Sequence, residues 1–269
     1  MGEFYKRRFL KLIPPVAFWS VVILLLKYCT HKLDFTHLLQ KILLLPLFPA
    51  HGVYWFIYVI SGLYLLAPII SFWLKNCTKR QLEFVLLLWL FNMLIPYLNL
   101  LPIDSKFTND SHYWMLNYFS GFLGYWILGY YLRYYPISKG CRIVVYIGSL
   151  VYIITLLLLK HHGYNAGSYL DNLQIGNTCL VTVITTFVQS HPIKFKWIKS
   201  IVSEIAKYSF GIYLCHIIIV RDVVWSLFAS FYLHPIPDTL LIAVTSLFLS
   251  YSLIKLLSNL PFSRWIIGV

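Results

Sequence analysis

A histidine stands inside the apolar run that begins at Ser209, at position 216. An ionisable side chain at that depth is expensive in lipid, so it marks a site by default. Imidazole titrates near neutrality and can move a proton. Three roles suit His216: proton transfer, lining of a site, or packing with a hydrogen bond to a nearby carbonyl. Arg221 and Asp222 follow in the same run. Successive helical side chains point about 100° apart, so the two are not expected to pair simply with one another. Arg221 either faces an inner cavity or snorkels to the interface.

Lys6, Arg7, Arg8 and Lys11 form the densest basic cluster. Arg forks suit phosphate, whether of a bound polyanion or of anionic lipid. Trp55, Tyr58 and Tyr64 could stack on a sugar or acyl surface, or belong to an interfacial aromatic belt. His161 and His162 are adjacent and lack metal spacing, so no metal site is expected. No nucleophile elbow or phosphate-cradling Gly-rich loop is present. The five cysteines are odd in number and lack CxxC spacing, which reads as neither a disulfide framework nor a zinc site.

The elements that carry these residues are legible from composition. Of 269 residues, 59% are hydrophobic and only 12% charged, and mean hydropathy is +0.73. A soluble domain is nearer a quarter charged and could not hide so much apolar surface. The apolar runs are long and continuous, so the fold class expected is all-α: a polytopic transmembrane helical bundle. Eight spans are expected: Phe9–Lys27, Val53–Leu74, Leu82–Leu101, Tyr113–Leu132, Ile143–Leu159, Leu173–Val188, Ser209–Phe228 and Thr239–Leu257. The sixth is polar and Thr-rich. Ile42–Phe48 is too short to span and reads as interfacial or re-entrant. Pro14, Pro15 and Pro68 are expected at or near span ends. No linker or repeat divides residues 1–269, which read as a single domain.

The net charge of +13 lies in short clusters between apolar runs, the pattern of topology signals, so nucleic acid is not an expected partner. With the N-terminus inside, sixteen of the 22 Lys and Arg fall on the inner side, five on the outer, and Arg221 within a span. This bias puts both termini in the cytoplasm, and the membrane expected is the plasma (inner) membrane.

Four stretches go beyond generic membrane sequence. They are Phe4-Tyr5-Lys6-Arg7-Arg8-Phe9 continuing to Pro14-Pro15; Tyr54-Trp55-Phe56-Ile57-Tyr58 leading to Pro68; Gly121-Phe122-Leu123-Gly124-Tyr125 with Leu128 to Leu132; and Ser209 to His216. In order and spacing they resemble the acyltransferase-3 family of membrane O-acyltransferases, and within it the surface-polysaccharide O-acetyltransferases. The resemblance implies transfer of an acyl group, acetyl above all, from acyl-CoA to a sugar hydroxyl of a surface or lipid-linked glycan. Acetyl-CoA is then the donor substrate, and lipids and a glycan acceptor are the partners.

Under this resemblance Arg7, Arg8 and Lys11 hold the CoA phosphates, with Arg8-x-x-Lys11 standing where the family has Arg-x-x-Arg in a loop. His216 is the catalytic candidate, and Trp55, Tyr58, Tyr64 and Arg221 line the substrate site. The family has about ten helices, and two of them, the first carrying an Arg and a His tied to the chemistry, would stand ahead of this basic loop. The chain therefore reads as N-terminally incomplete, and little transfer is expected from it alone. The rival readings are a non-enzymatic transporter of glycan or small molecule, and an inactive truncated acyltransferase.

Overall fold

The structure is a computed structural model that describes residues 2–94, 119, 121–163, 173–228 and 235–268. Among these residues every regular element is helical and there is no strand. In chain order they are α1 (Gly2–Cys29), α2 (Phe35–Leu43), a 3₁₀ turn (Gly52–Tyr54), α3 (Trp55–Asn76), α4 (Lys79–Asn92), α5 (Leu123–Tyr134), α6 (Lys139–His161), α7 (Ile175–Ser190), α8 (Lys196–Ile218), α9 (Pro235–Leu257) and α10 (Ser263–Ile267). Helix α8 runs on through a π-helical stretch, Ile219–Val224, into Trp225–Phe228.

Among the described residues, five helices are long and apolar enough to cross a bilayer: Gly2–Cys29, Gly52–Asn76, Lys139–His161, Lys196–Phe228 and Pro237–Leu257. Their outward faces are apolar: Phe72 is 73% exposed, and Val144 and Leu256 are each 69% exposed. Such faces are stable against hydrocarbon, not water, so this is a multi-pass membrane protein. The expected sixth span is the 16-residue α7, short of a crossing. The expected spans Leu82–Leu101 and Tyr113–Leu132 are described only over α4 and α5, and the rest of each lies outside the described residues. The Ile42–Phe48 piece is the end of α2 followed by turns.

Two expectations change near the N-terminus. The basic segment is not a loop but the first turns of α1. Lys, Arg, Leu and Phe all sustain a helix, and Glu3 favours the positive helix start and lies 3.7 Å from Arg7 four residues on. Pro14 and Pro15 therefore sit inside α1, and Pro68 sits inside α3. Neither of the first two prolines has an N–H, so the carbonyls of Leu10 and Lys11 lack their usual helical donors.

The described residues fall into two compact units. Unit one comprises 1–68 and 193–269, unit two 69–192. In unit one, Leu12, Trp19 and Ile23 of α1 pack with Tyr54, Ile57, Ile212, Leu214, Cys215, Ile254 and Ile267. Helix α10 lies along α1, where its Ile266 carbonyl accepts from the Trp19 indole at 2.9 Å.

In unit two, α4 opens on a capping box, the Thr78 hydroxyl accepting from Gln81 N and the Gln81 side chain accepting from Thr78 N. Trp89 is buried and donates to the Gly121 carbonyl at 3.0 Å. Gly124 lets that indole lie where a Cβ would stand, 2.1 Å from its nearest ring atom. The Thr-rich face of α7 explains its polarity: Thr178, Thr182 and Thr186 are buried, one turn apart, and α7 packs on α6. Thr182 and Thr186 return their hydroxyls to the carbonyls four residues back, both at 2.8 Å, so both hydroxyls are satisfied.

Candidate active site

The candidate site lies wholly in unit one. Arg8 and Lys11 are one helical turn apart on α1 and stand on the rim of a slot of about 220 Å³. Its walls are Leu12 of α1, Phe56, Ile57, Ile60 and Tyr64 of α3, Phe210 of α8, and Gly268. The Arg8 guanidinium lies 5.5 Å from the centre of the Tyr64 ring, a cation–π contact that holds the fork at the slot mouth. Gly268 closes the wall in a left-handed conformation (φ +72°), where a Cβ would stand 2.6 Å from the Phe210 ring and 2.9 Å from the Lys11 carbonyl. Only glycine fits there, and Pro15 has left that Lys11 carbonyl without its helical donor.

The slot is elongated. Tyr64 and Phe56 both line it and are eight residues apart on one helix, about 12 Å at 1.5 Å per residue. At the Phe56 end an aromatic layer begins. The Phe56 and Tyr213 rings are 6.0 Å apart, and Tyr213 and His216 are 5.7 Å apart. His216 is half-buried, six residues beyond Phe210, about 9 Å further along α8.

Its Nδ1 lies 2.6 Å from the Tyr213 carbonyl oxygen. A carbonyl only accepts, so Nδ1 carries the proton and neutral His216 presents a bare lone pair at Nε2. That is the tautomer a general base requires.

The chain end of α1 holds a second group of charges, about 28 Å from Arg8 along the helix, close to the thickness of a hydrocarbon core. Lys27 donates to the Ala50 carbonyl at 3.1 Å, tying the turn at His51 to α1. Two tyrosines tie the following residues to α8: Tyr54 donates to the Leu214 carbonyl at 2.5 Å, and Tyr213 donates to the Val53 carbonyl. His51 accepts from Val53 N–H at Nδ1 (3.3 Å) and caps the 3₁₀ turn. Burial pushes the His51 imidazole below its ordinary value, and the positive charges of Lys27 and Arg221 and the neighbouring His216 push it further. Asp222 opposes them only in part.

Arg221 and Asp222 correct an expectation. They form a two-pronged pair, Nε to Oδ1 at 2.6 Å and Nη2 to Oδ2 at 2.5 Å. The α-helical argument against pairing fails because both lie in the π-helical stretch, where Trp225 N–H reaches back five residues to Val220. The wider turn brings successive side chains closer in direction.

The remaining candidates are placed as follows. Arg7 is solvent-facing and pairs with Glu3, apart from the slot-lining Arg8 and Lys11. Tyr58 lines a separate apolar cleft of about 620 Å³ between α1 and α3, and its hydroxyl donates to the Leu45 carbonyl at 2.5 Å. Leu12 and Ile57 line both cavities. Trp55 is edge-on to Phe56, their centres 6.0 Å apart. Sequence reasoning passed over His51 and Lys27; the one local signal was a histidine followed by glycine just ahead of Tyr54-Trp55-Phe56.

A family model described as an acyltransferase domain, that of the acyltransferase-3 family, matches residues 1–255. No curated protein and no solved structure matches the chain. The match runs through α1, the tyrosine-rich start of α3, the glycines of α5 and the His216 helix, the segments that carried the likeness in sequence. The chain belongs to the acyltransferase-3 family, and that membership implies a membrane acyltransferase.

Proposed function

We propose that the protein transfers an acetyl group from acetyl-CoA to a sugar hydroxyl of a surface polysaccharide or lipid-linked glycan, in the inner membrane. The observation that supports this most is the slot itself. It is lined by two cations, suited to CoA phosphates, and by Phe56, whose ring neighbours Tyr213 and through it a histidine held in the tautomer of a base. A slot of about 220 Å³ suits the narrow acyl-pantetheine arm, with the nucleotide phosphates outside at Arg8 and Lys11. Sixteen of the 22 Lys and Arg lie on the Arg8 side of the expected topology, which supports that mouth facing the CoA-containing side.

In this reading the acceptor hydroxyl approaches the Lys27 end of α1 and gives its proton to His216 Nε2 as its oxygen attacks the thioester carbonyl. The carbon–sulfur bond breaks, the oxygen ester forms, and the imidazolium returns the proton to the CoA thiolate. A positioned base contributes about 10²–10⁴-fold in rate.

The test uses the full chain in lipid nanodiscs with radiolabelled acetyl-CoA and polysaccharide acceptors. Alkali-labile label on the glycan, lost with His216→Ala, is the expected result. Unlabelled glycan with the wild-type chain would overturn the reading.

A further inference from the structure

The two histidines near the Val53 turn are fixed in opposite tautomers. His216 Nδ1 faces the Tyr213 carbonyl, so its proton is on Nδ1 and its free nitrogen is a base. His51 Nδ1 accepts from Val53 N–H, so its proton is on Nε2 and its free nitrogen is a donor. Protonation treats them differently as well. His216 can take a proton on Nε2 and keep its bond to Tyr213. His51 can take one only by giving up the Val53 cap.

The charges around His51 reinforce that difference. Lys27 on α1, and His216, Arg221 and Asp222 on α8 and its π-helical stretch, act on it electrostatically. Two cations against one carboxylate favour a neutral ring. The Tyr54–Leu214 and Tyr213–Val53 hydrogen bonds brace the His51 turn against the stretch of α8 that carries His216.

We propose that His51 is a second catalytic residue, donating from Nε2 to the acyl carbonyl oxygen as it becomes an oxyanion, while His216 accepts the acceptor's hydroxyl proton. This rests on the acyltransferase reading above. The step balances: the acceptor oxygen bonds to the acyl carbon, negative charge gathers on the carbonyl oxygen against His51 Nε2–H, and the carbon–sulfur bond breaks. The proton held by His216 leaves on the CoA sulfur. His51 stays neutral throughout and consumes no proton.

The decisive variant is His51→Asn. Asparagine places an oxygen where Nδ1 stands and caps well, so the turn is kept and the Nε2 donor is lost. The expected result is a fall in kcat of about 10²–10³-fold, the usual cost of one oxyanion donor, with the KM for acetyl-CoA unchanged. His51→Gln, which keeps a distal N–H, should recover part of it. Full kcat in His51→Asn would reduce His51 to a structural cap and overturn the proposal while leaving the acyltransferase reading intact.

Absence of transfer by the wild-type chain would overturn both. Nitrogen-15 NMR of histidine-labelled protein in nanodiscs reads the tautomers without any turnover. Nε2–H on His51 with Nδ1–H on His216 is expected, and the same tautomer on both would overturn the pairing.

Discussion

Tyr54 donates its hydroxyl proton to the carbonyl of Leu214, 160 residues away in sequence, and is fully buried in doing so. This bond joins the start of α3 to the helix of His216. Tyr54→Phe removes it at a cost of about 0.5–1.5 kcal/mol, the net value of a typical hydrogen bond. Thermal unfolding in nanodiscs should show that modest loss. Acetyl transfer should fall further than stability, through kcat, because the turn carrying His51 is loosened. A variant with unchanged kcat would show that the brace has no bearing on the chemistry.

Arg8 and Lys11 line the slot and Arg7 does not. Arg8→Gln and Lys11→Gln should each weaken CoA binding, and the wild-type advantage should shrink as salt is raised. Arg7→Gln should bind within about twofold of wild type, since its exposed pair with Glu3 has the small value of surface ion pairs. Equal loss at all three positions would point to a diffuse lipid anchor instead of a site.

The His51 imidazole is depressed in the folded protein, chiefly by burial and then by Lys27 and Arg221. A depressed histidine binds protons more readily unfolded than folded. Its contribution to stability is therefore complete above about pH 6.5, the unperturbed value, and is lost as pH falls below it. A pH series of unfolding temperatures should show this decline, and His51→Asn should flatten it. A wild-type profile that matches the variant would remove His51 as the titrating group.

The distribution of Lys and Arg orients the spans. Reporter fusions after Lys32 should read outside, and fusions after Lys79 and Lys199 inside. A cytoplasmic signal at Lys32 would place the Lys27 end of α1 on the CoA side and invert the proposed route of donor and acceptor.

What the sequence made legible was whatever depends on local chemistry. Long apolar runs announced α1, α3, α6, α8 and α9, because lipid leaves a helix no alternative. Arg8, Lys11 and His216 were recognisable by type and setting. The rest is long-range or conformational. His51 feels the charges of Lys27 and Arg221, which lie far from it along the chain. The Arg221–Asp222 fork depends on a π-helical stretch that residue spacing does not announce. The sixth expected span was visibly Thr-rich, but that Thr178, Thr182 and Thr186 form one buried face could not be read without its partner helix, which is invisible from composition.

The central claim is that one path leads from Arg8 and Lys11 to His216. An acyl-CoA analogue with a photoreactive group on its short acyl chain tests it without requiring turnover. Bound to the full chain in nanodiscs and irradiated, it should label the α8 segment from Phe210 to His216 or the His51–Phe56 segment. Excess CoA should suppress that label, and Arg8→Gln should weaken it. Label confined to other helices, or insensitive to CoA and to Arg8, would contradict the account.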